Sequence, residues 1–84
     1  MRCFVYILSS ESLDLFYIGC SADPEVRLKK HLAKHNGFTS RAKDWKICYK
    51  EGFNSKSEAQ KREKQLKSWK NKSLIAQLVK KIDD

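Results

Sequence analysis

Two apolar runs, Cys3-Phe4-Val5-Tyr6-Ile7-Leu8 and Leu15-Phe16-Tyr17-Ile18-Gly19-Cys20, are separated by only six residues. Both runs are rich in β-branched and aromatic types, which suit a half-buried pleated surface. The link, Ser9 to Asp14, is polar and turn-like apart from Leu13. A link that short permits an antiparallel hairpin and excludes a parallel pair, which needs a crossover of a dozen or more residues. Strands over 2–8 and 15–20 are therefore expected. A turn centred between Glu11 and Ser12 sets Tyr6 opposite Tyr17 on one face of the sheet. Such aromatic cross-strand pairs are common and stabilising, so the pair alone carries no function.

The segment that follows has the marks of a helix start. Asp23 suits the N-cap, Pro24 the first helical position and Glu25 the first-turn dipole. The helix is expected to run to Asn36-Gly37, a C-terminal stop, with Leu28 and Leu32 facing inward. A polar loop over 38–43 leads into a third strand over 45–53. Ser55 or Ser57 caps a second helix through Trp69. Asn71-Lys72-Ser73 interrupts the pattern before a last helix with Leu74, Ile75, Leu78, Val79 and Ile82 at helical spacing. The order is β-β-α-β-α-α. The expected class is α+β, a three-stranded antiparallel sheet flanked by helices.

Size narrows the architecture further. Eighty-four residues make one domain, 1–84, and such a domain buries only about 60–65% of its unfolded surface. Chemistry must therefore sit on the core elements themselves. No apolar stretch reaches the ~18 residues of a membrane span, and the opening segment lacks the length and cleavage site of a signal peptide. Cys3, Cys20 and Cys48 are odd in number and widely spaced, as expected of reduced, buried thiols in the cytoplasm. The charge is +8, from 18 basic and 10 acidic residues. That bias favours a polyanionic partner, although solubility alone also accounts for many basic surfaces.

Three further residues carry chemical interest. Arg27 and His31 lie four apart on one helix face, flanking the Leu28–Leu32 stripe. Read plainly, they belong to a solvated basic face with Lys30 and Lys34. Glu63 falls among Ala59, Leu66 and Trp69 on the apolar side of its helix, where an unpaired carboxylate is costly. Glu58, by contrast, can pair outward with Arg62. Glu63 is either a salt-bridge partner for Lys67 or a metal ligand. Together these residue types suit phosphodiester hydrolysis. A hard divalent ion takes one or two carboxylates and keeps several waters, and a guanidinium grips phosphate oxygens. A tyrosine, with a pKa of about 10, becomes a base only with help, which His31 can supply.

Val5-Tyr6-Ile7, Tyr17-Ile18-Gly19, Arg27 with His31, and Glu63 resemble the GIY-YIG nuclease superfamily in order and spacing. The first tripeptide departs from the family name, with V-Y-I in place of G-I-Y. Val5-Tyr6-Ile7-Leu8, Gly37-Phe38-Thr39 followed by Asp44-Trp45, and Glu63-Lys64-Gln65-Leu66-Lys67-Ser68-Trp69 are similar to the small one-domain branch. The likeness covers about residues 3–79. It implies an α/β sandwich that cleaves DNA through one metal ion, Mg²⁺ or Mn²⁺. By the same resemblance, Tyr6 activates or positions the attacking water, assisted by Tyr17 and His31. Arg27 stabilises the phosphate, and Glu63 holds the metal.

Many relatives carry an asparagine after that glutamate; here Asn71 is the candidate, and it equally suits a helix cap. Larger relatives in repair, restriction and intron homing carry appended DNA-binding domains. Here substrate contacts fall to the surface, through Lys30, Lys34, Arg41, Lys64 and Lys67, with little sequence specificity. The leading expectation is a cytoplasmic, metal-dependent DNA endonuclease selective for shape, targeted by a protein partner. The alternative is a non-catalytic nucleic-acid-binding or adaptor module that retains the fold.

Overall fold

Alternation along the central strand decides the architecture. The computed structural model describes residues 2–33, 37–69 and 71–80. The elements are β1 (Cys3–Ser10), β2 (Leu15–Ser21), α1 (Pro24–Leu32), a 3-10 turn (Phe38–Arg41), β3 (Lys46–Phe53), α2 (Lys56–Ser68) and α3 (Lys72–Lys80). The strands form one antiparallel sheet in the order β2-β1-β3. The expected class and element order are therefore those observed. β1 is central and apolar on both faces. Cys3, Val5 and Ile7 pack with Tyr49, Ala59, Leu66 and Ile75 beneath α2 and α3. Tyr6 and Leu8 pack on the other side with Ala42 and Trp45, and with Leu28 and Leu32 of α1.

The hairpin register differs from expectation by two residues. Tyr6 pairs with Gly19, and Tyr17 pairs with Leu8. Ser10 pairs with Leu15, so the turn is the four residues Glu11–Asp14 rather than a tighter one centred on Glu11 and Ser12. Two contacts account for it. Asp14 adopts φ 54°, a left-handed conformation that aspartate tolerates. Asp44, from the segment before β3, accepts hydrogen bonds from Ser10 Oγ (2.6 Å), Ser12 Oγ (3.0 Å) and Ser12 N (2.8 Å). Because side chains alternate with period two, a two-residue shift keeps Tyr6 and Tyr17 on the same face.

β3 carries a bulge. Ile7 pairs with Tyr49 while Leu8 pairs with Ile47, leaving Cys48 as the extra residue. The Cys48 thiol donates to the Ile7 carbonyl at 3.3 Å. The bulge lets Tyr49 face α2 and Ile47 face α1.

The helix caps follow their sequences. Asp23 accepts from Val26 N and Ser55 from Glu58 N. α1 ends sooner than expected, because Ala33 is already extended and its N–H closes on the Lys29 carbonyl. Gly37 instead opens the 3-10 turn with φ 134°, backbone that favours glycine. The expected helix end at Asn36, together with Lys34, Lys70 and Ile82, lies outside the described residues. Asn71 Oδ1 accepts from Ser73 N (2.9 Å) and Leu74 N (3.4 Å), so it caps α3.

Candidate active site

Gly19 is the element around which the site is built. A Cβ there would overlap the Tyr6 hydroxyl and come 2.5 Å from its Cζ. The bare backbone lets the Tyr6 ring lie across β2 and carry its hydroxyl to the sheet edge. There the Tyr6 Oη meets His31 Nε2 at 3.0 Å. The Tyr17 ring stands edge-on to the same imidazole, with centroids 4.9 Å apart. Tyr6 and Tyr17 thus approach His31 from neighbouring strands, and the direct Tyr6–Tyr17 pairing expected from sequence is replaced by a shared histidine.

Tyr6 is 1% exposed. Burial raises its pKa above the ordinary tyrosine value, and Arg27 partly offsets that rise through a hydrogen bond and its charge. At neutral pH the hydroxyl therefore keeps its proton. Tyr17 and Glu63 push the value up further through their charges.

Arg27 and Glu63 come from different layers and meet around the β2 edge. Both line a cavity of about 530 Å³ with Arg2, Cys20, Ser21 and Gln60. Glu63 also borders a second cavity of about 410 Å³, with Lys61, Lys64 and Lys67. Its carboxylate is paired with Lys67 at 2.7 Å; the side chains are 21% and 51% exposed, respectively. Both sequence alternatives for Glu63 therefore have a structural footing: it has a lysine partner, and it opens on a cavity.

The pairing expected between Glu58 and Arg62 gives way to another. Arg62 Nε lies 3.2 Å from Glu51 Oε1 on β3, off the line of a directed hydrogen bond, and its Nη1 donates to Gln65. Glu51 attracts Arg62 because it is partly shielded beside α2, whereas Glu58 is exposed at the helix start.

Among the surface cations, Lys64 and Lys67 border the Glu63 cavity. Lys30 and Arg41 are exposed on the α1 side and line neither Glu63 cavity. Lys34 lies outside the described residues. Asn71 borders a separate apolar cavity of about 370 Å³ beside Tyr17 and Lys67, in addition to capping α3.

Sequence reasoning missed Arg2, Lys56 and Gln60 in the wall around Glu63. Their signals were present. Arg2 lies four residues before Tyr6 in strand alternation, and Lys56 and Gln60 precede Glu63 at helical spacing. It gave no role to Thr39, which it named only within the Gly37-Phe38-Thr39 likeness and whose hydroxyl lies 2.8 Å from His31 Nδ1.

A family model for the GIY-YIG catalytic domain matches residues 2–76. The chain belongs to the GIY-YIG family. The match takes in every element from β1 into α3, including Tyr6, Tyr17, Arg27, His31 and Glu63. GIY-YIG domains are nucleases, which sets the activity class as phosphodiester hydrolysis and the substrate as nucleic acid. No curated protein and no solved structure matches this GIY-YIG chain.

The family's use of divalent metal can be tested against this donor set. Among the described residues there is no cluster of three or more His, Cys, Asp or Glu side chains suited to a metal. Glu63 offers one carboxylate beside open volume. That suits a hard ion that keeps several of its waters. Lys67, being half exposed, can swing into solvent and release the carboxylate.

Proposed function

We propose that this GIY-YIG domain is a divalent-metal-dependent endonuclease that hydrolyses DNA, selecting substrates by shape rather than sequence. The observation that carries the reading is the junction at the β2 edge. There the Tyr6–His31 contact stands over Gly19, while Arg27 and Glu63 face one cavity. Tyr6 holds its proton at neutral pH, so it acts as a base only when His31 Nε2 takes that proton. Tyr6 Oη then accepts a proton from the attacking water as the water oxygen bonds to phosphorus and the P–O bond to the leaving group breaks.

Arg27 is exposed, yet its guanidinium bears on the Tyr6 hydroxyl through a hydrogen bond and its charge. A substrate phosphate draws it outward, which both neutralises the phosphate and uncovers the buried hydroxyl. Tyr17 holds the imidazole edge. Glu63 would hold Mg²⁺ or Mn²⁺, which supplies positive charge to the phosphate and the departing oxygen. Lys64 and Lys67 contact the backbone beside Glu63, Lys30 and Arg41 extend the positive surface around α1, and Lys34 adds a further charge in the sequence between them. Contacts of this kind read shape and charge. Work on DNA in the cytoplasm, including repair, with targeting by a protein partner, fits a domain whose own surface offers little base readout.

One observation favours the alternative of a non-catalytic binding module: Lys67 already satisfies Glu63. A single variant separates the two. Glu63→Gln keeps the shape and removes the charge. In a cleavage screen over duplex, flap and branched DNAs with Mg²⁺ or Mn²⁺, the nuclease reading requires that it abolish cutting while DNA affinity holds or rises. As a partly exposed salt bridge alone, the Glu63–Lys67 pair would cost only about 0.3–0.5 kcal/mol of stability, with no change in cutting.

A further inference from the structure

His31 is held at both ring nitrogens. Nε2 lies 3.0 Å from Tyr6 Oη, and Nδ1 lies 2.8 Å from Thr39 Oγ1. Thr39 is 3% exposed. Its carbonyl accepts from Trp45 Nε1 at 2.9 Å, and Trp45 is equally buried. A fixed chain therefore runs from Trp45 through Thr39 and His31 to Tyr6. Within it the Thr39 hydroxyl meets the site at the histidine.

A neutral imidazole has one N–H donor and one acceptor nitrogen. Tyr6 can hand its proton to Nε2 only when Nε2 is the acceptor, and the ring hydrogen must then sit on Nδ1. A hydroxyl is the group that can receive it there.

We propose that Thr39 is the positioning residue of this site, its hydroxyl accepting from His31 Nδ1–H and so holding Nε2 open for the Tyr6 proton. The inference rests on the Tyr6–His31 proton transfer given above. In that transfer the Tyr6 O–H bond breaks and the His31 Nε2–H bond forms. The imidazolium then donates from Nε2 to the tyrosinate oxygen and from Nδ1 to Thr39, so the Thr39 bond survives without a turn of the ring. The opposite arrangement, with Thr39 donating to Nδ1, puts a hydrogen on Nε2 and closes it to the Tyr6 proton.

A threonine also suits the task better than a carboxylate. A full negative charge beside the ring would favour imidazolium and leave the base already protonated. Among the described residues, the charged and titratable groups Tyr17 on β2, Arg27 on α1 and Glu63 on α2 bear on the Tyr6–His31 pair. Thr39 adds none.

The test pairs Thr39→Val, which keeps the shape and loses the hydroxyl, with Thr39→Ser, which restores it. Nitrogen-15 NMR of the histidine ring reads the tautomer directly in substrate-free protein. The wild type should show hydrogen on Nδ1; Thr39→Val should lose that preference and Thr39→Ser regain it. On DNA with Mg²⁺, Thr39→Val should lower kcat about tenfold or more, within the span of general-base effects, with KM little changed. The acid limb of its pH profile should move to lower pH, because the imidazolium has lost an acceptor.

A wild-type ring with hydrogen on Nε2, or identical ring signals in the wild type and Thr39→Val, would overturn the proposal. If Thr39→Val fails to fold, the wild-type tautomer alone still decides. A tautomer that shifts while cleavage stays unchanged would support Thr39 as the positioning residue and sink the Tyr6–His31 transfer instead.

Discussion

On the α2–α3 side of the sheet, Val5, Ile7, Ala59, Leu66 and Ile75 meet with hardly a polar atom among them. On the α1 side, the same strands present Tyr6, Tyr17 and Lys50, and α1 answers with His31 and Glu25. The first face resembles a core, and the second is a polar network, buried at Tyr6 and open to solvent at Lys50 and Glu25, laid over a smaller apolar cluster of Leu8, Ala42 and Trp45. Polar contacts on the first face stay at its margin, where the Tyr49 hydroxyl donates to Glu51. In a domain this thin the two tasks cannot be separated by distance, so they are separated by strand parity. One set of alternate residues stabilises, and the other carries the groups proposed to react.

That division can be broken by exchanging what each face loses. Tyr6→Phe removes one hydroxyl from the reactive face. Cleavage should fall by about 10²–10⁴-fold, the usual span for a general base. The thermal midpoint should move by no more than about 1 kcal/mol implies, the worth of one hydrogen bond. A cleavage assay beside a melting curve checks both. A large stability loss with activity kept would merge the two faces into one core.

Leu66→Ala acts on the opposite face. Leu66 is 1% exposed, and opening a cavity there should cost about 2–5 kcal/mol, read by denaturant unfolding. Below the new midpoint, kcat should stay near wild type. A fall in kcat matching that of Tyr6→Phe would mean that packing under α2 governs the site, through Glu63 on the same helix.

Gly19→Ala sharpens the comparison, because Gly19 belongs to the reactive face without bearing a reactive group. Its new methyl must displace the Tyr6 ring. Overpacking costs about 1–3 kcal/mol, and cleavage should fall by more than that stability loss alone implies. Wild-type cleavage by a stably folded Gly19→Ala would show that the position of the Tyr6 hydroxyl does not matter.

The smallest effect concerns the hairpin clasp. Hydrogen bonds from Ser10, then Ser12, hold the Asp44 carboxyl at about 2, below the ordinary aspartate value near 3.8. A depressed carboxyl contributes stability above its unfolded pKa and loses it as pH falls through the folded value. The thermal midpoint should therefore decline between about pH 4 and pH 2, and Asp44→Asn should flatten that part of the curve. An equally steep decline in the variant would assign acid sensitivity to other carboxylates.

Local sequence pattern carries the element order, the cap at Asp23, the choice of Ser55 or Ser57 for the second helix, and the faces on which Tyr6, Tyr17 and Glu63 lie. Each depends on neighbours within a few residues, and strand and helix periods repeat faithfully over that range. The placement of Tyr6 and Tyr17 on one face survived a wrong register because a shift of two leaves strand parity unchanged. Tertiary structure decided what periodicity does not encode. Asp44 fixes a turn more than thirty residues before it. α1 stops at Leu32, Arg62 chooses Glu51 over Glu58, and Thr39 reaches His31 from a segment read as plain loop. Arg27 and Glu63 share a cavity only because helices from opposite layers close around the same strand edge. Those choices compare partners distant in the chain, and their relative energies exist only once the sheet has brought the partners together.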